Sequence, residues 1–204
     1  MTDPTMGEAT TAMAERRSAI ADAAIELIAR GGMRGLTHQA VDHELGLASG
    51  SVSFYARTRR QLVHLVLRRL AERTLGDVSR TVEPPTTSVQ AADRLAATIE
   101  AISARSVDVR ARHVLAVELV DDPELHSFVT YASPAQHRLV AAAEQVLTSL
   151  GVADPDHHAV SLVAVMDGLL FNRLSGAGVD PAQRADARAV LLAYLTGLPR
   201  TTTG

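Results

Sequence analysis

Helix-start signatures follow one another along this chain at intervals that leave room for little except helices. Thr37 precedes a short apolar-periodic stretch, Thr58 is followed by Gln61, Thr87 by Gln90, Asp122 by Pro123, and Ser133 by Pro134. Each puts a side-chain oxygen where it can accept an orphan backbone N–H of a first helical turn, and in the Thr-x-x-Gln pairs the amide reaches back to the cap. Between these signals apolar residues recur at spacings of three and four, with none of the strict alternation that marks strands. The fold class this implies is all-α, with about nine helices.

A first helix is predicted from about Ala14 to Arg30, carrying Ile20, Ala24, Leu27 and Ile28 and ended by Gly31 and Gly32. Leu36, Val41, Leu45 and Leu47 supply the rest of a small three-helix core. Thr37 caps a short second helix, and Gly46 makes the tight turn after it, because only glycine enters the left-handed region without a steric cost. A third helix is expected to begin at Ser49 as its cap, with Val52 as its apolar face. Its outer face holds Ser49, Gly50, Ser51, Ser53 and Tyr55, and Arg57, Arg59 and Arg60 come just beyond. Small hydrogen-bonding side chains beside arginines suit a phosphate backbone and a major groove. The fourth helix starts in the Thr58–Gln61 box, carries Leu62, Leu65, Val66 and Leu70, and is stopped by Pro84 and Pro85.

The remaining chain continues in helices. Thr87 opens one bearing Leu95, Ile99 and Ile102, Ser106 caps another with Val114 and Val117, and Asp122–Pro123 begins a third. Ser133–Pro134 follows so soon that a break or a kink is required there. The next helix ends at Gly151. The last two, from Pro155 to Ser175 and from Pro181 to Leu198 with Asp180 as cap, are apolar on more than one face, which points to a subunit interface. Val163, Met166, Leu170 and Leu174 on the first, and Leu191, Tyr194 and Leu195 on the second, are the candidates for it.

Hydrophobic residues make up 47% of the 204, yet no run of 18 apolar residues occurs, so no membrane span is expected. Cys is absent, which excludes a disulfide framework and thiolate metal sites and agrees with a reducing cytoplasm. The first residues lack the basic start and apolar run of a secretory signal, and 1–13 read as a disordered arm. The net charge of −3 is unevenly spread: residues 1–82 hold 11 Arg against 9 acids, and residues 83–204 hold 9 Arg against 14. The first part is therefore the one suited to an anionic partner. Every basic residue is Arg, a planar fork matched to phosphate and guanine.

At Thr37, Val41, Gly46, Gly50, Ser51, Phe54, Arg59 and Leu62 the chain resembles, in order and spacing, the TetR family of one-component transcriptional regulators. The likeness is close from about Arg17 to Leu70, and beyond that it is one of helical layout. Ser53 stands where the family often has Tyr, Tyr55 where it usually has His, Ala56 where it usually has a core Phe, and Arg59 where Lys is commonest. The resemblance implies a helix-turn-helix DNA-binding domain over 14–58, a connecting helix over 59–82, and an effector-binding and dimerisation domain over 83–200. It further implies that the last two helices pair with their symmetry mates as a four-helix bundle.

On that resemblance Thr37, Ser51, Tyr55 and Arg59 would hold phosphates, and His38, Ser49, Gly50 and Ser53 would approach base edges. One of Phe54 and Tyr55 faces DNA, with Phe54 alternatively filling core volume left by Ala56. The effector pocket would lie among polar or soft residues on apolar helices: His113, Glu118, His126, Tyr131, His137, Met166 and Asn172. The implied partners are double-stranded DNA with a palindromic operator, a small-molecule effector and a second copy of the chain, in the cytoplasm and away from membrane. Catalysis is not expected, since no Gly-rich phosphate loop, Gly-x-Ser-x-Gly elbow or His-Glu-x-x-His occurs. No cofactor or metal is expected either: His157 and His158 are adjacent, diverge by about 100° on a helix, and cannot share one ion. The competing reading is an all-α ligand-binding or adaptor dimer whose N-terminal helices touch protein instead of DNA.

Overall fold

The computed structural model describes residues 4–78 and 83–201. Among them are ten α-helices: α1 (Pro4–Gly35), α2 (His38–Glu44), α3 (Ser51–Tyr55), α4 (Arg59–Val78), α5 (Ser88–Ser103), α6 (Ser106–Glu118), α7 (Pro123–Val129), α8 (Pro134–Ser149), α9 (Pro155–Leu174) and α10 (Ala187–Gly197). The chain is all-α, as its periodicity requires. Between Val129 and Pro134 the helix breaks outright, which brings the number to ten.

Most helix starts are made by the residues expected. The Ala40 amide donates to Thr37 Oγ1 at 3.0 Å, Gln61 to Thr58 Oγ1 at 3.2 Å, Gln90 to Thr87 Oγ1 at 3.2 Å, and Leu125 to Asp122 Oδ1 at 3.2 Å. Gln61 Oε1 accepts in return from the amides of Arg57 and Thr58, closing the box. Three expectations change. α1 reaches back to Pro4, so residues 4–13 are helical where an arm was expected, and its far end passes through Gly31 and bends at non-helical Gly32 before ending at Gly35. Ser106 is the first residue of α6 and not its cap. The last helix does not run from Pro181: Asp180 caps only a 3-10 turn, Pro181–Gln183, and Asp186 caps α10. The interruption is held from α9 and the preceding loop: Asn172 Oδ1 takes the Ala185 amide at 3.1 Å and Arg184 Nε donates to the Gly178 carbonyl at 3.1 Å. Where α4 stops lies outside the described residues; Pro84 and Pro85 are non-helical.

Two compact units divide the chain. The first is Met1–Arg73 with Ala111–Thr130, and the second Thr74–Arg110 with Tyr131–Gly204. The end of α6 and all of α7 thus belong with the N-terminal helices, where polar ties hold them. Arg60 donates to Asp122 and, at 2.7 Å, to Glu124, while Glu118 Oε1 accepts the Met33 amide at 3.3 Å beside the α1 bend. The Leu125 amide above all, then Arg60, holds the Asp122 carboxyl below the usual carboxylate range. In this unit Ile20, Ala24, Ile28, Leu36, Val41, Val52, Leu62, Val66 and Leu115 have no exposed surface.

In the second unit α8 packs on α9, and α5 packs on α10 and α9. Its core is built from Ala92, Ile99, Leu147, Ala159, Leu162, Leu191 and Leu195, all without exposed surface. The chain end is fastened there, with Arg200 pairing as a single bridge with Val152 and donating to the Leu150 carbonyl at 2.7 Å. No helix among the described residues is long and apolar enough to cross a membrane.

Candidate nucleic-acid interface

α3 is five residues long and cannot hold its own shape, since a helix this short closes hardly any backbone hydrogen bonds. Its frame is supplied by one side chain from α2. Asp42 is 3% exposed, and its two carboxylate oxygens take one amide each: Oδ2 from Gly50 at 2.8 Å and Oδ1 from Val52 at 2.9 Å. Its carbonyl accepts Leu47 N–H at 2.8 Å, so the turn is fastened at both ends. Gly46 (φ 62°) and Gly50 (φ 90°) bend the turn through the left-handed region, as expected for the first. Ser49 is therefore not the cap. The N-cap is Gly50 without a side chain, and Asp42 does the capping from eight residues earlier. Nothing local betrays Asp42, since the pairing exists only once α2 and α3 are folded together.

The face this frame presents is small, hydroxylated and aromatic. Ser49, Gly50 and Ser53 are exposed, while the Ser51 hydroxyl donates to the Ala48 carbonyl at 2.6 Å. Phe54 is 74% exposed, and its ring meets Tyr55 edge-on with centroids 5.2 Å apart. Phe54 does not fill core volume, because Ala56 is itself buried and the space is closed over it. His38 is partly buried and its Nε2 lies 2.7 Å from the Ala56 carbonyl. A carbonyl only accepts, so Nε2 carries the proton, and His38 buttresses the exit of α3 with that nitrogen.

Beside α3 a cavity of about 440 Å³ is lined by Arg34, Leu36, Thr37, His38 and Arg59. Two guanidinium groups and a hydroxyl around one hollow suit an oxyanion. Arg34 was not among the sequence candidates, though as a lone exposed Arg after a pair of glycines it carried no periodic signal. Arg59 lies across this hollow and donates to the Met33 carbonyl. Arg60, adjacent in sequence, is held by Asp122 and Glu124, the Asp122 bond above all pushing its guanidinium further up.

The effector candidates do not come together in one unit. His113, Glu118 and His126 lie in the first unit; Tyr131, His137, Met166 and Asn172 lie in the second. Several have other work: Glu118 holds the Met33 amide, Asn172 holds the Ala185 amide, and Met166 packs on the second core. Tyr131 is 71% exposed.

The interface candidates divide by burial. Val163, Leu170, Leu191 and Leu195 are buried in their own chain's core, with Leu174, Met166 and Tyr194 packed against it. Burial pushes the Tyr194 hydroxyl up, offset in part by its bond with Ser161. Leu191 and Leu195, with no exposed surface, are closed to a partner, while Met166, Leu174 and Tyr194 keep part of theirs open. Other faces are left open: Val160, Ala164, Gly168 and Phe171 on α9, and Val190, Ala193 and Gly197 on α10, are all exposed.

Residues 86–197 match the family described as "Tetracyclin repressor-like, C-terminal domain". No curated protein matches the chain. Solved structures do. A transcriptional regulator from Rhodococcus sp. Rha1 is 21% identical with a TM-score of 0.73, the match covering 91% of this chain and 98% of that one. A transcriptional regulator from Saccharomonospora viridis, solved with choline, is 18% identical with a TM-score of 0.68, over 92% and 100%. A TetR-family member from Streptomyces coelicolor A3 is 26% identical with a TM-score of 0.63, over 88% and 98%.

Proposed function

Because the chain belongs to the TetR family of transcriptional regulators, we propose that it is a cytoplasmic, homodimeric repressor that binds a palindromic operator and is released by a small molecule. The observation that carries this is the Asp42-braced turn, which presents Ser49, Ser53, Phe54 and Tyr55 beside the hollow lined by Arg34, Thr37 and Arg59. Such a surface divides the labour of DNA recognition: the arginines and Thr37 set the register on phosphates, and the α3 face reads base edges. Thr37, Tyr55 and Arg59 remain phosphate candidates, with Arg34 added, whereas the Ser51 hydroxyl is already committed as donor to the Ala48 carbonyl. Ser49, Gly50 and Ser53 remain the base-edge candidates, and His38 keeps only Nδ1 for that role because Nε2 is engaged by the Ala56 carbonyl. Regulation of this kind needs no catalytic group.

Dimerisation would use the exposed stripes of α9 and α10, whose small residues let partner helices approach closely. Ala164→Arg should convert a dimer to a monomer in sedimentation while leaving the far-ultraviolet dichroism unchanged, since Ala164 is exposed. A variant that stays dimeric at micromolar concentration would move the interface elsewhere. Effector binding in the second unit would shift α4, which is continuous from Arg59 to Val78, and so the separation of the two recognition helices. Half-sites lie about 34 Å apart, and coupling of about 1–3 kcal/mol is enough to switch occupancy.

The test is titration of a DNA fragment, recovered by genomic pull-down with the purified protein, over a series of salt concentrations. Wild type should show a steep fall of affinity with salt, and Arg34→Ala and Arg59→Ala should each reduce the slope by about 1, as one phosphate ceases to be neutralised. Arg60→Ala should leave the slope nearly unchanged, because its charge is already met by two carboxylates. A protein that recovers no fragment, or binds one without salt dependence, would favour the adaptor reading.

A further inference from the structure

We propose that Phe54 is a specificity-determining residue that reads the C5-methyl group of a thymine in each half-site, and so requires an A·T pair beneath it. This rests on the DNA-binding reading given above. The residues of α3 are Ser51, Val52, Ser53, Phe54 and Tyr55. None has the long two-pronged side chain that recognises guanine through Arg, or adenine through Asn and Gln, by paired hydrogen bonds. Val52 is buried, and the Ser51 hydroxyl donates its proton to the Ala48 carbonyl. What the helix does present is one large apolar group, the Phe54 ring, 74% exposed.

An aromatic ring this open gains free energy when an apolar group covers it. The covering group must be apolar and must lie where α3 docks. A major groove offers one such group, the methyl on C5 of thymine; every other recognition feature there is a hydrogen-bond donor or acceptor. The ring is also held for this use, since Tyr55 meets it edge-on at 5.2 Å with an interplanar angle of 81°. A ring already set in place gives up little side-chain freedom on binding.

The probe is a duplex library with a randomised core, prepared once with thymidine and once with deoxyuridine throughout; uracil pairs as thymine does and lacks only the methyl. Selected from the thymidine library, the protein should enrich a symmetric sequence with an A·T pair at one fixed position per half-site. In the deoxyuridine library that one preference should vanish while the others persist. Replacing that thymine by deoxyuridine in the selected duplex should weaken wild type about fourfold per half-site, the value of one buried methyl. Phe54→Ala should bind both duplexes equally, and Phe54→Leu should keep part of the discrimination, which a merely structural role would not predict. Overturning results are equally plain. Wild type that binds a selected duplex with steep salt dependence yet ignores the methyl at every position removes this role for Phe54 and leaves the regulator intact. Wild type that selects no duplex from either library removes both.

Discussion

Asp42→Ala is expected to abolish operator binding and to destabilise the first unit by about 3 kcal/mol. The substitution leaves the amides of Gly50 and Val52 without acceptors, and Val52 has no exposed surface through which water could take over. Each unmet buried donor costs about 1–3 kcal/mol. Asp42→Asn separates shape from chemistry. It keeps the volume, but one of its two prongs becomes a donor facing a donor, so one amide is served and the other opposed. The expected order in denaturant unfolding is wild type, then Asn, then Ala, with operator affinity falling in the same order. If Ala unfolds at the wild-type denaturant midpoint, the bracing assigned to Asp42 is wrong, whatever happens to affinity.

In the second unit the largest effect is expected from adding one methyl. A Cβ on Gly178 would stand 2.2 Å from Asn172 Oδ1 and 2.9 Å from the Asn172 carbonyl oxygen. The side-chain oxygen cannot swing aside freely, because it holds the Ala185 amide, and the backbone oxygen belongs to α9. Gly178→Ala should therefore cost about 3 kcal/mol, at the upper end of overpacking, and loosen the segment that leads into α10. Gly76→Ala is the control. It lies in α4 with open space where its Cβ would go, and should stabilise by up to about 1 kcal/mol through helix propensity alone. Thermal unfolding of the two variants checks both signs. A Gly178→Ala protein as stable as wild type would mean that the α9–α10 connection is slack.

These two sites show what could and could not be seen before folding. The caps at Thr37, Thr58–Gln61, Thr87–Gln90 and Asp122 were legible because donor and acceptor lie within one helical turn. The turn at Gly46 was legible because glycine enters the left-handed region without a steric cost. Asp42 was not, because its amides come from another helix, and the serine nearest the start of α3 looked like the better cap. The break before α10 was hidden likewise, since it depends on Asn172 reaching thirteen positions along the chain. The apolar faces of α9 and α10 were legible as faces. Which one turns inward was not, because periodicity marks an apolar stripe without naming the surface that covers it: Leu191 and Leu195 went to the chain's own core, while Val160 and Ala164 stayed outside. Around α3 the family resemblance already named Thr37, His38 and Arg59, which line one hollow, yet it carried no sign that Arg34 joins them or that Arg60 is drawn away by Asp122 and Glu124.

The brace at Asp42 also bears on how such a protein can change its target. The side chain that sets α3 in place sits on α2, and it grips backbone amides. Positions 49, 53 and 54 are thereby excused from holding the turn together, and each can be exchanged without asking the turn to refold. Scaffold and vocabulary are kept on separate helices. A lineage, or a designer, can rewrite the sequence being read one residue at a time while every intermediate remains a folded protein.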